Sequence, residues 1–161
     1  METKKMGEIY QKIADKIDDM IPVEWDKVYL YAEVLENDST EVYFYFSELG
    51  KDTYTYWYYI PQIYNINKDL FKQLRRELFK YFEELHKEYI NNNPEVWTNL
   101  TLFLDSNGKF KIDFDYEDVL ASGLFGTQRQ AIWKYKYLGI YPSDEDAKKV
   151  VDEYIKSQEN N

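Results

Sequence analysis

The chain has 161 residues, with 20 lysines and arginines against 30 aspartates and glutamates, one histidine, no cysteine and a formal net charge of −10. At roughly 100 to 200 residues per domain, this length predicts a single domain over 1–161 that buries its core without a metal or disulfide staple. Disulfides, thiolate metal sites and cysteine nucleophiles are excluded, 44% hydrophobic and 19% aromatic residues exclude a disordered chain, and the acidic excess argues against direct binding of a phosphate backbone.

Met6, Ile9, Tyr10, Ile13, Ile17, Met20 and Ile21 recur at steps of three and four, which predicts a helix from about residue 3 to residue 20 that Pro22 ends. From Lys27 to Leu35 the period changes to two: Val28, Leu30, Ala32 and Val34 share one side and Tyr29, Tyr31 and Glu33 the other, as in a half-buried strand. A turn at Asn37, Asp38 and Ser39 leads to a second strand, where Val42, Phe44 and Phe46 alternate with Tyr43, Tyr45 and Ser47. Gly50, Lys51 and Asp52 then turn the chain into a third strand expected over Thr53 to Ile60.

Asn67 is a plausible N-cap for a long helix to about Tyr89, marked by Leu70, Leu74, Leu78, Tyr81, Leu85 and Tyr89 and stopped by Asn91 to Pro94. Trp97 to Leu104 and Lys109 to Tyr116 predict two strands around the tight turn Asp105, Ser106, Asn107, Gly108. Phe125 to Tyr137 and Asp144 to Ser157 predict two final helices, with Ser143 as an N-cap and residues 157–161 frayed. Helices and strands fall in blocks rather than in strict alternation. The expected class is therefore α+β: a five-stranded, mainly antiparallel sheet, made of a three-strand meander plus a hairpin, with the N-terminal helix, the long central helix and the two C-terminal helices packed on it.

The chemistry of the side chains favours recognition over catalysis. His86 lies within the central helix with no partner motif, and no Gly-rich phosphate loop, HExxH or GxSxG is present. A calcium loop starting at Asp105 fails, because its sixth and twelfth positions are Phe110 and Tyr116 instead of glycine and glutamate. Asp113, Asp115, Glu117 and Asp118 end the fifth strand, where Phe110, Ile112, Phe114 and Tyr116 are expected to face inward and the acids outward. A solvated row, a partner-binding patch and a metal-dependent hydrolase site are the three readings of that cluster. The first fifty residues carry 12 acids against 5 bases, and Asp18, Asp19, Glu24 and Asp26 from this stretch are candidates to extend a partner-binding patch. On the meander, the second sheet face collects tyrosines. Cross-strand packing and an exposed binding face for a peptide or small ligand both account for them; Tyr43, Tyr45, Trp57 and Tyr116 are the candidate anchors. The Gly126 to Tyr137 stretch holds too few cations for a nucleic-acid footprint and instead suits a helix anchor, with Arg129 set to pair with an acid such as Asp118. No apolar run approaches the roughly 20 residues that span a bilayer or resembles a signal peptide, so a cytoplasmic protein without membrane contact is expected.

Four segments read together carry a family resemblance: Ile21 to Tyr29 (IPVEWDKVY), Glu41 to Phe46 (EVYFYF), Phe114 to Val119 (FDYEDV) and Arg129 to Pro142 (RQAIWKYKYLGIYP). They resemble the YezG and EsaG family of bacterial immunity proteins, across almost the whole chain. The resemblance implies an antitoxin that binds and neutralises a nuclease (DNase) toxin domain in the cytosol, the toxin being of the kind carried at the C-terminus of LXG proteins exported by type VII secretion in Gram-positive bacteria. It implies no enzymatic activity, no cofactor and no catalytic residues, and it leaves the oligomeric state open.

Overall fold

The computed structural model describes residues 2–35 and 39–160, so the turn expected at Asn37 and Asp38 lies outside the described residues. The fold is α+β, and the chain divides into two compact units, Met1–Glu117 and Asp118–Asn161.

The first unit begins with α1 (Lys4–Met20), whose N-cap Thr3 accepts the Met6 N–H and whose stripe Met6, Ile9, Ile13, Ile17 and Met20 is buried. Next come β1 (Trp25–Val34), β2 (Thr40–Glu48), β3 (Thr55–Tyr56), a 3-10 turn at Trp57–Tyr59, α2 (Ile60–Tyr64), α3 (Lys68–Asn92), β4 (Asn99–Asp105) and β5 (Phe110–Asp115). The strands form one sheet in the order β3-β2-β1-β4-β5, and every neighbouring pair is antiparallel. One face is aliphatic and phenylalanine-rich: Val28, Leu30 and Ala32 align with Phe46, Phe44 and Val42 on one side and with Leu104, Leu102 and Leu100 on the other, and all are buried. Helices α1 and α3 cover this face and run antiparallel. Thr3 donates to Glu88 at 2.9 Å, Lys16 bonds Glu77, Tyr10 meets Phe110 at 5.4 Å between ring centroids, and Tyr89 meets Phe114 at 5.1 Å.

The expected third strand is cut short. Strict alternation over Thr53 to Ile60 would place Trp57 and Ile60 on opposite sides, yet both are buried. A spacing of three suits a 3-10 turn, which carries Trp57 into the helix-side core between Phe44 (6.1 Å) and Phe71 (6.0 Å). Pro61, which cannot donate to a strand ladder, sits instead in the first turn of α2. Tyr116 likewise falls just beyond β5 and is exposed rather than turned inward. In the β4–β5 hairpin, Asp105 accepts the N–H groups of Asn107 and Lys109, both at 2.9 Å, and Gly108 takes the φ of 86° that a side chain would resist.

The second unit starts with a 3-10 turn at Val119–Ser122, followed by α4 (Gly126–Leu138) and α5 (Glu145–Glu159). Gln128 accepts the Phe125 N–H at 2.8 Å to close the start of α4, and Gly139 ends it in the left-handed region. The N-cap of α5 is Asp144, which accepts the Ala147 N–H at 3.0 Å, and not the expected Ser143. Its carboxylate also suits the positive end of the helix better than a hydroxyl does. Helix α5 persists to Glu159, beyond the point at which fraying was expected.

Candidate functional site

The expected acidic residues of the first unit gather at opposite ends of the sheet. At one end, α1 closes with Asp18 and Asp19 in its last turn. Asp18 accepts the indole N–H of Trp25, the first residue of β1, at 2.9 Å, which ties the helix end to the strand start. Pairing between β1 and β2 slips between Trp25 and Lys27, so Asp26 is the extra residue of a bulge, a device that re-aims a side chain at a strand end. Asp26 is fixed through its carbonyl, which accepts the Ser106 N–H at 2.9 Å; its carboxylate takes the Ser106 hydroxyl at 3.4 Å. Asp18, Asp19 and Glu24 are exposed and Asp26 is half-buried. The field here registers on Tyr54, whose hydroxyl is raised above its usual pKa by burial first, then by Tyr29, and then by Asp26 and Asp52.

Asp113, Asp115 and Glu117 occupy the other end. Through β4, the register aligns Asp115 with Glu33 on β1, whereas Lys27 pairs with Asp105 at the first end. Six residues of extended strand separate them, about 20 Å. This second group is also partly engaged in local structure. Asp113 lies 3.8 Å from Lys111, Asp115 accepts the Glu117 N–H at 2.9 Å, and the Glu117 carbonyl takes the Thr98 hydroxyl at 2.7 Å. Asp118 belongs to the second unit, where its carboxylate caps the 3-10 turn by accepting the N–H groups of Leu120 and Ala121. Arg129 donates to the Leu124 carbonyl at 2.8 Å. Among the described residues, no group of three or more His, Cys, Asp or Glu side chains is arranged to hold a metal ion.

Of the four aromatic residues expected as anchors, three are buried, with Tyr43, Tyr45 and Trp57 each 5% exposed, while Tyr116 is 43% exposed. Tyr43 stacks on Tyr31 at 5.0 Å and Tyr45 on Tyr56 at 4.8 Å, the cross-strand aromatic pairing of a stabilised sheet. Tyr31 also donates to the buried Glu33 at 2.8 Å. Desolvation pushes the Tyr43 hydroxyl well above the ordinary tyrosine range. Trp57 belongs to the helix-side core described above. The Tyr116 hydroxyl meets that of Tyr89 and is raised to about 12, by desolvation first and then by that contact. His86 is structural: its Nε2 bonds the Trp97 carbonyl at 3.0 Å, its ring stands edge-on to Trp97 at 4.8 Å, and burial lowers its pKa.

One feature escapes the reading of the sequence. A groove of about 580 Å³ is lined by residues of the 3-10 turn, among them Tyr58 and Tyr59, and of the start of α3, among them Lys68, Lys72 and Arg75. Its signal is present in the chain as three cations at i, i+4 and i+7 of the predicted helix, the spacing of a single helical stripe.

Known proteins resemble this chain along nearly its whole length. The family model described as immunity protein YezG-like matches residues 6–152. The immunity protein YezG of Bacillus spizizenii is 52% identical over 159 residues, covering 99% of this chain and 98% of the relative, and the immunity protein YezG of Bacillus subtilis is 53% identical over 150 residues, covering 93% and 99%. The type VII secretion system protein EsaG of Staphylococcus aureus is 36% identical over 159 residues, covering 97% of each. These likenesses define an immunity-type protein. The chain belongs to the YezG-like immunity protein family. No helix among the described residues is long and apolar enough to cross a membrane.

Proposed function

We propose that this chain is a cytosolic antitoxin that binds and neutralises the nuclease domain of an LXG-type toxin exported by type VII secretion, by stoichiometric binding rather than by turnover. The observation that carries this reading is the near-full-length likeness, at 52% identity, to a protein named for immunity. Physical features of the chain support it. A nuclease domain presents a basic groove to its substrate, and a partner of net charge −10 attracts such a surface at long range and speeds capture. We place capture at Asp18, Asp19, Glu24 and Asp26, which the Asp18–Trp25 bond and the Asp26 bulge hold at one end of the sheet.

Co-expression with the toxin domain tests the reading. Cells are expected to survive, and the two chains are expected to co-purify in fixed stoichiometry with the toxin's DNase activity suppressed. A toxin that stays lethal and fails to co-purify would overturn it.

A further inference from the structure

The groove at the start of α3 runs against the electrostatics of the rest of the molecule. Lys68 is the first residue of α3, at the positive end of the helix dipole, where a cation is disfavoured and the adjacent Asp69 is the favoured charge. Lys72 follows one turn later and Arg75 three residues after that, so like charges stand as helical neighbours and repel. Among the described residues none of the three has an ion pair, although the chain carries 30 acidic side chains, and no acid lines the groove. The Arg75 guanidinium is held in place by rings, 5.6 Å from the centroid of Trp57 and 5.9 Å from that of Phe79. In the same groove, Tyr58 and Tyr59 are 60% and 50% exposed. The indole N–H of Trp57, in the groove wall, is buried without an acceptor among the described residues. Three like-charged helical neighbours that lack an ion pair among the described residues and lie beside exposed aromatic rings depart from local consistency, as binding sites do.

We propose that this groove seats an acidic, aromatic- or aliphatic-flanked segment of the toxin, a second contact separate from the capture end; the assignment rests on the immunity reading given above. Its volume of about 580 Å³ accommodates a few side chains, within the range of ordinary binding clefts. Carboxylates match the three cations, and apolar side chains match the tyrosine wall. A single-stranded nucleic acid fits less well. The Tyr58 and Tyr59 rings stand at 85° to each other instead of forming a continuous stacking platform, and the net charge of the chain repels a polyphosphate.

The sign of one charge-reversal experiment tests the proposal. Each reversal in Lys68→Glu, Lys72→Glu, Arg75→Glu subtracts two charges, so the triple variant moves from −10 to −16. If the toxin is met only through a basic surface, this change speeds capture and tightens binding. The proposal requires the opposite: affinity for the toxin domain weakened at least about 30-fold, chiefly through faster dissociation, and roughly 10-fold for Tyr58→Ala. Circular dichroism verifies folding, and Lys72→Gln with Tyr58→Ala carries the test if the triple variant melts. A parent chain that fails to bind the toxin sinks the immunity reading and this inference together. A parent that binds, with variants that bind equally or more tightly, overturns the groove alone. So does a parent that binds an oligodeoxythymidylate through these cations, or one whose self-association the triple variant abolishes, since the occupant is then a nucleic acid or a second copy of the chain.

Discussion

The end of α1 and the start of α3 make an instructive pair. Helix α1 finishes with Asp18 and Asp19 at the negative end of its dipole, and α3 begins with Lys68, followed by the favourably placed Asp69, at the positive end of its own; each helix carries at one terminus a charge that its dipole disfavours. Beneath both termini the packing is conventional. Ile17 and Met20 are buried under the first, and Phe71 and Trp57 under the second. The fold therefore rests on the apolar stripes, and the charges above them are placed at some expense to local stability. Natural sequences depart from local consistency chiefly where a surface is used.

The largest expected effect separates stripe from surface. Ile17→Ala, at a fully buried position, is expected to cost about 3 kcal/mol through lost burial and the cavity left behind. Tyr58→Ala, at an exposed ring, is expected to change the unfolding free energy by less than about 0.5 kcal/mol. Denaturant unfolding of both variants checks this, and a large loss for Tyr58→Ala would return the groove to the core. A smaller effect concerns the misplaced charges themselves. Asp19→Lys and Lys68→Glu should each raise stability by roughly 0.3–1 kcal/mol at low salt, an increment that shrinks as salt is added, while weakening toxin binding. A variant that gains stability and keeps full affinity would remove the functional explanation for that charge.

The C-terminal half of α3 is the control, since it carries no such conflict. Burial lowers the His86 pKa below its ordinary 6.5, only partly opposed by the bond to the Trp97 carbonyl. The unfolded chain therefore binds more protons in the window just below 6.5. The stability contributed by the neutral ring is complete above that value and is lost as pH falls through the folded pKa. Thermal melts at pH 7.5 and 5.5 should show a loss in the parent that is reduced in His86→Gln; equal losses would mean that other groups set the pH dependence.

The legibility of the chain follows from which distances decide each feature. Helices α1 and α3 and the strands of the meander are readable because their apolar periods, three to four in Met6 to Met20 and two in Val28 to Val34, are local. Over Tyr54 to Ile60 aromatic density imitates a strand, and only the spacing of three between Trp57 and Ile60, with Pro61 behind it, reveals the turn. The acids themselves are visible in the sequence, but their division between two ends depends on the β1–β4–β5 register, a non-local property. Alternation separates Tyr43 and Tyr45 from Phe44 and Phe46 without telling which face is buried, and both are. The groove is not legible in the sequence, because three cations matter only beside the Tyr58 and Tyr59 rings that the turn brings to them.

Capture of a basic partner by the end bearing Asp18, Asp19, Glu24 and Asp26 is what separates the proposed function from an acidic surface that only keeps the chain in solution. Its most direct test is the association rate with the toxin domain, measured at low and at physiological salt for the parent, for Asp18→Asn, Asp19→Asn, Glu24→Gln, Asp26→Asn, and for Asp113→Asn, Asp115→Asn, Glu117→Gln. Neutralising the first set should slow association about 10-fold at low salt and flatten its salt dependence, with dissociation little changed; the second set should have a much smaller effect. Association by the first variant at the parent's rate in low salt would contradict the claim and leave the acidic excess to solubility alone.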